Sequence, residues 1–100
     1  MANDFSVVID RDCDPPTVRV TGEVDLLTAP AFTDHLLALA GEGVTAATLD
    51  LSAVTFLDST GIGALVRAMQ AGLLPKIVSA STQVDRALEL AGIPELLERD

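Results

Sequence analysis

Three consecutive polar residues, Asp58, Ser59 and Thr60, form the stretch of this sequence best suited to chemistry, and Gly61-Ile-Gly63 follows them directly. An apolar run precedes the three residues and an apolar pattern with helical spacing follows them. The sequence therefore predicts a carboxylate and two hydroxyls at a strand-to-helix junction. Such a group can cap the helix, act as a nucleophile, or accept a covalent modification.

The nucleophile hypothesis requires a base beside Ser59, because a serine without one attacks poorly. His35 is the single histidine, and it lies in another predicted helix at the edge of an apolar stripe, which is typical of a structural or surface histidine. The G-x-S-x-G elbow of serine hydrolases is absent around Ser59. The acidic residues are scattered and no His/Cys cluster exists to hold a metal. We expect no catalytic residue, no metal, no cofactor and no enzymatic activity.

The Gly61-Ile-Gly63 segment is also a candidate nucleotide-binding turn, because it follows a strand and opens a helix. Val66 stands where the third glycine of G-x-G-x-x-G would be, and no G-x-x-x-x-G-K-[ST] motif occurs. A lone G-x-G is common at tight turns. The pattern argues against nucleotide binding.

The cap and modification hypotheses both fit a helix N-terminus. Asp, Ser and Thr are all favoured there because their oxygens satisfy free backbone amides. One capping residue is sufficient, so three exceed that need. A phosphate on one of these hydroxyls would add about −1.5 to −2 charges. The helix dipole favours that charge, whereas Asp58 and Asp25 oppose it. The fold would persist while the surface changed, which describes a reversible binding switch.

Composition predicts one domain, residues 1–100, with a single aliphatic core. The chain has 15 acidic and 6 basic residues, a formal charge of −9, and 49% hydrophobic residues. The charge argues against nucleic acid and anionic membranes as partners. Cys13 is the single cysteine, which excludes an internal disulfide and fits a reducing compartment. No signal peptide or span of roughly 20 apolar residues occurs. We expect a cytoplasmic protein without membrane insertion.

Hydrophobic periodicity and turn residues predict the element order β-β-α-β-α-β-α. The strands are predicted at 5–9, 17–24, 46–51 and 76–80. Thr28 is predicted to cap the first helix, and Thr82, with Asp85, the third. Residues 94–99 fit either a helical turn or a short strand. The apolar stripes of the three helices are Phe32/Leu36/Leu39/Ala40, Ile62/Leu65/Val66/Met69/Leu73 and Val84/Ala87/Leu88/Ala91.

This order predicts an α/β fold with a mixed, mostly parallel four-stranded sheet and helices packed on it. The first strand joins through an antiparallel hairpin, and right-handed crossovers make the remaining pairs parallel. Open α/β sheets place their sites at the carboxyl ends of parallel strands. Two polar segments, 23–28 and 58–60, are predicted to meet at that edge.

Those two segments resemble the STAS-domain family, and in particular the bacterial anti-sigma factor antagonists. Thr21-Gly-Glu-Val-Asp-Leu-Leu-Thr-Ala-Pro30 is similar to the family's G-E-[LIV]-D…A-P segment. Leu49-Asp-Leu-Ser-Ala-Val-Thr-Phe-Leu-Asp-Ser-Thr-Gly-Ile-Gly-Ala-Leu65 is similar to its strand-D-S-[ST]-G-[LIV]-G segment. The element order agrees, so the resemblance covers nearly the whole chain. Residues 70–76 depart from it, since they lack the glycine-rich basic turn common there.

The resemblance implies a partner-switching regulator of transcription, of the kind used in stress response and sporulation. Ser59 would be phosphorylated by an anti-sigma factor that is itself a serine kinase of the histidine-kinase-like ATPase fold, with Thr60 as the neighbouring hydroxyl. The unphosphorylated form would bind that factor and free the sigma factor, and a metal-dependent serine phosphatase would restore it. The expected partner surface consists of Glu23, Asp25, Thr28, Asp58, Ser59, Thr60, Gly61 and Ile62.

Two other hypotheses stay open at this point. The first is a structural STAS module, either a scaffold or a cytoplasmic subunit of a membrane transporter, without a phosphorylation switch. The second is a small hydrolase that uses Ser59. Phosphate-dependent binding separates the first from an antagonist, and loss of turnover in a His35→Ala variant would indicate the second.

Overall fold

A computed structural model describes residues 5–90 of the chain. The predicted order β-β-α-β-α-β-α is confirmed over this range. Ala91 and residues 94–99, for which the sequence made predictions, lie outside the described residues. The elements are β1 (Ser6–Asp10), β2 (Thr17–Val24), α1 (Ala29–Gly41), β3 (Ala46–Leu57), α2 (Ser59–Gln70), β4 (Leu74–Ala80) and α3 (Thr82–Leu90).

The four strands form one mixed sheet in the order β1-β2-β3-β4. β1 is antiparallel to β2, whereas β2/β3 and β3/β4 are parallel. The register places Val18 opposite Leu49 and Leu49 opposite Ile77, so apolar side chains line up across three strands. The predicted mixed, mostly parallel sheet is confirmed.

The predicted end of β3 at Leu51 was wrong, because the strand continues for six more residues to Leu57. β4 pairs with β3 only as far as Leu51, but β2 continues along it until Val24 meets Leu57. The register between β2 and β3 shifts twice along this length. Buried side chains then follow a spacing of three, at Leu51, Val54 and Leu57. A strand is predicted from the alternation of apolar and polar residues, and the register shifts interrupt that alternation after Leu51. The last six residues of β3 were therefore not predicted.

One face of the sheet is packed under the helices and the other faces solvent. Val18 and Val20 of β2 are buried, whereas Arg19 between them and Thr21 beyond them are exposed. The helices add large side chains to the same core: Phe32, Leu36, Leu39, Leu65, Val84 and Leu88. None of the helices within residues 5–90 is long and apolar enough to cross a membrane.

The buried face of α2 differs from the predicted stripe. It consists of small residues around one leucine: Gly61, Ala64, Leu65 and Ala68. Ile62, Val66 and Met69 are only half-buried, and Leu73 is buried beyond the end of the helix. α2 packs against both the sheet and α1, and small residues allow the helix to come close to both. The prediction weighted the largest apolar residues and therefore chose a neighbouring face.

The predicted cap of α3 was displaced by one residue. Ser81, not Thr82, precedes the helix, and its hydroxyl accepts a hydrogen bond from the Val84 amide at 3.3 Å. The same hydroxyl donates to the Val54 carbonyl at 2.9 Å, which ties the helix start to β3. The turns that follow α1 and α2 each contain a glycine with a positive φ angle, Gly43 at 88° and Gly72 at 94°.

We expect Leu49→Ala to lower the free energy of unfolding by about 2–5 kcal/mol, because it leaves a cavity at the centre of the core. Leu27→Ala makes the same chemical change at a side chain that is 88% exposed, and we expect it to change stability by less than about 0.5 kcal/mol. Urea unfolding of both variants measures the difference. Equal destabilisation of the two would contradict this core.

Candidate functional site

Two loops meet where β2 and β3 end. Val24 lies opposite Leu57, the last residue of β3. The Asp58 amide then donates to the Val24 carbonyl at 3.2 Å, which carries the pairing one residue past the strand. The segment 25–28 before α1 and the start of α2 are therefore adjacent, as the predicted sheet requires.

Asp58 caps α2, so the cap hypothesis holds for this residue. Its backbone is extended, and its Oδ1 accepts from the Thr60 amide at 2.9 Å and from the Thr60 hydroxyl. Its carbonyl accepts from the amides of Gly61 and Ile62 at 3.1 and 3.2 Å. The Thr60 hydroxyl, and to a lesser extent the nearby amides, lower the pKa of Asp58 from its ordinary value. The carboxylate therefore stays charged at neutral pH.

Ser59 differs from its two neighbours, because its side chain is not engaged. It is the first residue of α2 and is exposed. Within residues 5–90 its hydroxyl makes no hydrogen bond, whereas Asp58 and Thr60 bond to each other. Asp58 therefore caps the helix, Thr60 holds the Asp58 carboxylate in place, and Ser59 is exposed to solvent.

The loop before α1 is an ordered turn built on Asp25. Its Oδ1 accepts from the amides of Leu27 and Thr28 at 3.0 and 3.1 Å. The Thr28 hydroxyl accepts from the Asp25 amide at 2.9 Å and donates to the Glu23 carbonyl at 2.7 Å. The turn is fixed by both of its polar residues.

The prediction that the Thr28 side chain caps α1 was wrong. Thr28 occupies the N-cap position but makes no side-chain cap bond, and its hydroxyl is used within the preceding turn. A cap accepts from the second or third amide of a helix, and Pro30, the second residue here, has no amide hydrogen. The Asp25 carbonyl binds the Ala29 amide at 2.7 Å instead.

Exposed apolar side chains, which are not among the predicted site residues, lie in the same turn and on the neighbouring strand. Leu26 and Leu27 are 73% and 88% exposed at the tip of the Asp25 turn. Phe56, opposite Glu23 on the neighbouring strand, is also exposed. The available signal was two consecutive leucines placed between turn-forming polar residues, outside any strand or helix pattern. Two adjacent and highly exposed leucines on an ordered turn are available for contact with a partner.

Gly61 brings α2 close to the sheet. A Cβ at this position would lie 2.8 Å from Leu57 Cδ1 and 2.8 Å from Val24 Cγ1. Gly61 is buried and Ile62 is half-buried, so these two predicted surface residues support the site from below. At Gly63, by contrast, a Cβ would meet nothing within 4 Å.

Within residues 5–90, no base is hydrogen-bonded to the Ser59 hydroxyl. His35 is exposed on α1, and Cys13 is exposed with its Sγ donating to Asp10. Over residues 5–90, no group of three His, Cys, Asp or Glu side chains is placed to hold a metal ion.

A family model described as "Mlab, STAS domain" matches residues 7–98. This chain belongs to the STAS-domain family. The match covers both loops of the candidate site and, apart from Ser6, all four strands of the sheet.

The chain is similar to proteins named as anti-sigma factor antagonists. It is 30% identical over 95 residues to the anti-sigma-B factor antagonist of Listeria monocytogenes, covering 89% of this chain and 82% of that protein. An anti-sigma factor antagonist structure from Mycobacterium paratuberculosis has 27% identity and a TM-score of 0.83, covering 100% of this chain and 90% of that one.

The fold is also that of the antagonist SpoIIAA. Its unphosphorylated form has a TM-score of 0.80 at 16% identity, covering 93% of this chain and 86% of that one. The phosphorylated form of SpoIIAA, a Bacillus cell fate determinant, has a TM-score of 0.71 at 15% identity, covering 93% and 89%. At these identities the comparison establishes the shared STAS architecture.

Gly→Ala substitutions at two positions of α2 are expected to have opposite effects. Gly61→Ala forces its Cβ against Val24 and Leu57, and we expect a loss of about 1–3 kcal/mol from overpacking. Gly63→Ala enters open space and should gain about 0.5–1 kcal/mol from helix propensity. Thermal unfolding of both variants provides the measurement, and a stabilised Gly61→Ala variant would contradict the close approach of α2.

Asp58→Asn should make stability less dependent on pH. Folding lowers the pKa of Asp58, so its charged carboxylate stabilises the fold at pH values above the ordinary aspartate pKa of about 3.9. This stabilisation is lost as pH falls through the lower pKa that Asp58 has in the folded protein. Wild type should therefore exceed Asp58→Asn by about 0.3–1 kcal/mol near pH 7, and the gap should close toward pH 3.

Urea unfolding at a series of pH values measures this gap. Thr60→Val, which removes the hydroxyl bonded to Asp58, should reduce the pH dependence in part. A gap of the same size at pH 7 and pH 3 would show that the Asp58 charge does not stabilise the cap.

Proposed function

We propose that this protein is an anti-sigma factor antagonist controlled by phosphorylation of Ser59. The unphosphorylated form binds an anti-sigma factor and so releases a sigma factor, and the phosphorylated form does not bind. The observation that carries the proposal is the exposed, unengaged Ser59 hydroxyl at the start of α2, between an aspartate and a threonine that bond to each other. STAS-family membership and the names of the relatives support it.

The binding surface combines apolar anchors with negative charge. Leu26 and Leu27 project from a turn that is held rigid, so ordering them on binding costs little entropy. Asp25 and Asp58 flank them in a chain with a formal charge of −9. This pattern fits a partner that offers an apolar pocket bordered by basic side chains.

A phosphate on Ser59 would be poorly neutralised by α2 itself. The Thr60 amide already binds the Asp58 carboxylate, and the Gly61 and Ile62 amides bind the Asp58 carbonyl. The added charge of about −1.5 to −2 therefore faces the partner, beside the carboxylate of Asp58. Like charges in an interface cost several kcal/mol, and each ~1.4 kcal/mol is a factor of ten in affinity. Repulsion alone is sufficient for release, without a change of fold.

The phosphoryl donor in this proposal is ATP bound to the anti-sigma factor, a serine kinase of the histidine-kinase-like ATPase fold. The Ser59 oxygen forms a bond to the γ-phosphorus, ADP leaves, and the hydroxyl proton passes to a base of the kinase. A metal-dependent serine phosphatase then hydrolyses the ester and restores the hydroxyl. Both partners place the cycle in the cytoplasm, where ATP is available.

Replacing Ser59 tests the switch. The partner is isolated from the native cell with a tagged Ser59→Ala protein and identified by mass spectrometry, and its affinity is measured by calorimetry. We expect Ser59→Ala to bind within about threefold of wild type, and Ser59→Glu to bind at least about 100-fold more weakly, because that loss corresponds to ~2.7 kcal/mol of repulsion.

Ser6→Glu is the matched control, since it adds the same charge at an exposed position on the outer strand β1 and should leave affinity unchanged. Phosphopeptide mapping after incubation with the partner and ATP should find the label at Ser59. Unimpaired binding by Ser59→Glu, with no label at Ser59 or Thr60, would refute the switch and favour a structural STAS module.

A further inference from the structure

A groove of about 610 Å³ runs between α1 and α2. Its apolar lining consists of Leu26, Ala29, Pro30, Gly63, Ala64 and Val66. Thr60 lines one end, and Leu26 belongs to the exposed turn of the candidate site. The groove is therefore continuous with the surface around Ser59, but it extends well past the residues of the two sequence motifs.

The glycine at position 63 is not explained by the fold. A glycine inside a helix destabilises the helix relative to alanine. Gly61 is required because a Cβ would clash at 2.8 Å, whereas a Cβ at Gly63 would meet nothing within 4 Å. The φ angle of Gly63 is not positive, so the backbone conformation does not require a glycine there. The space that its missing side chain leaves open is the groove.

Arg67 places a positive charge in the groove one helical turn beyond Gly63. Elsewhere in the described chain Arg11 pairs with Glu42 and Arg19 with Asp50. Arg67 forms no salt bridge within residues 5–90, although Asp34 also lines the groove. A cation that forms no ion pair within this range can bind an acidic group of a partner.

We propose that this groove receives an amphipathic helix of the anti-sigma partner. A large apolar side chain of that helix fills the space above Gly63, and a carboxylate one turn away pairs with Arg67. Thr60 and Arg67 are seven residues apart on α2, about 10 Å along its axis, which matches two turns of the bound helix. The pairing of that carboxylate with Arg67 fixes the direction in which the helix binds. This inference rests on the proposed function, because it names a contact of the same partner.

The test fills the groove without disturbing the fold. Gly63→Leu places a side chain in open space, so we expect no loss of thermal stability and at least a tenfold loss of affinity for the partner isolated with Ser59→Ala. Ala38→Leu is the matched control, because Ala38 is exposed on α1 and does not line the groove; its affinity should stay within twofold. Arg67→Glu should also weaken binding about tenfold, while Arg67→Lys stays within threefold.

The affinity of Ser59→Glu is measured with these variants, so that a failure of the groove proposal can be distinguished from a failure of the phosphorylation switch. Wild-type affinity in both Gly63→Leu and Arg67→Glu, with binding still abolished by Ser59→Glu, would overturn the groove and leave the switch intact. Weakened Gly63→Leu binding with an unaffected Ser59→Glu would support the groove and refute the switch. If Gly63→Leu instead abolishes self-association in sedimentation and spares partner affinity, the groove joins two copies of this chain and the inference is overturned.

Discussion

The parallel pairing at the ends of β2 and β3 is the constraint on which the site depends. Val24 lies opposite Leu57, and the hydrogen bond from the Asp58 amide to the Val24 carbonyl extends that pairing into the loop. Gly61 then allows α2 to rest on both strand ends, because any side chain there would collide with Val24 and Leu57. The positions of the Asp25 turn and of Ser59 both follow from this junction.

Their hydrogen bonds give the three polar residues at the start of α2 different roles. Asp58 and Thr60 satisfy each other and the first amides of the helix, so they belong to the structure of the junction. Ser59 has no such role within the described chain, and its exposure makes it available to a partner. A charge added at Ser59 would change the surface while the hydrogen bonds that hold the start of the helix remain.

Much of the fold and part of the site follow from sequence pattern. Alternation located β2 at its observed limits, and helical spacing located the three helices, because each element buries one regular face. The last six residues of β3 were missed where register shifts break the alternation. The buried face of α2 was misassigned because small residues pack closest although they contribute little apolar area. The Thr28 cap failed because its hydroxyl bonds to the Asp25 amide and the Glu23 carbonyl in the preceding turn.

The sequence by itself determined the element order, the acidic character of the chain, and the meeting of residues 23–28 with 58–60 at one edge, since these depend on local periodicity, composition and the rules of parallel sheets. Only the tertiary structure decided which hydroxyl is presented, which leucines project into solvent and that a groove lies open over Gly63. Those features depend on the distances between side chains of different elements. Such distances are set by packing and do not appear in the spacing of residues along one chain.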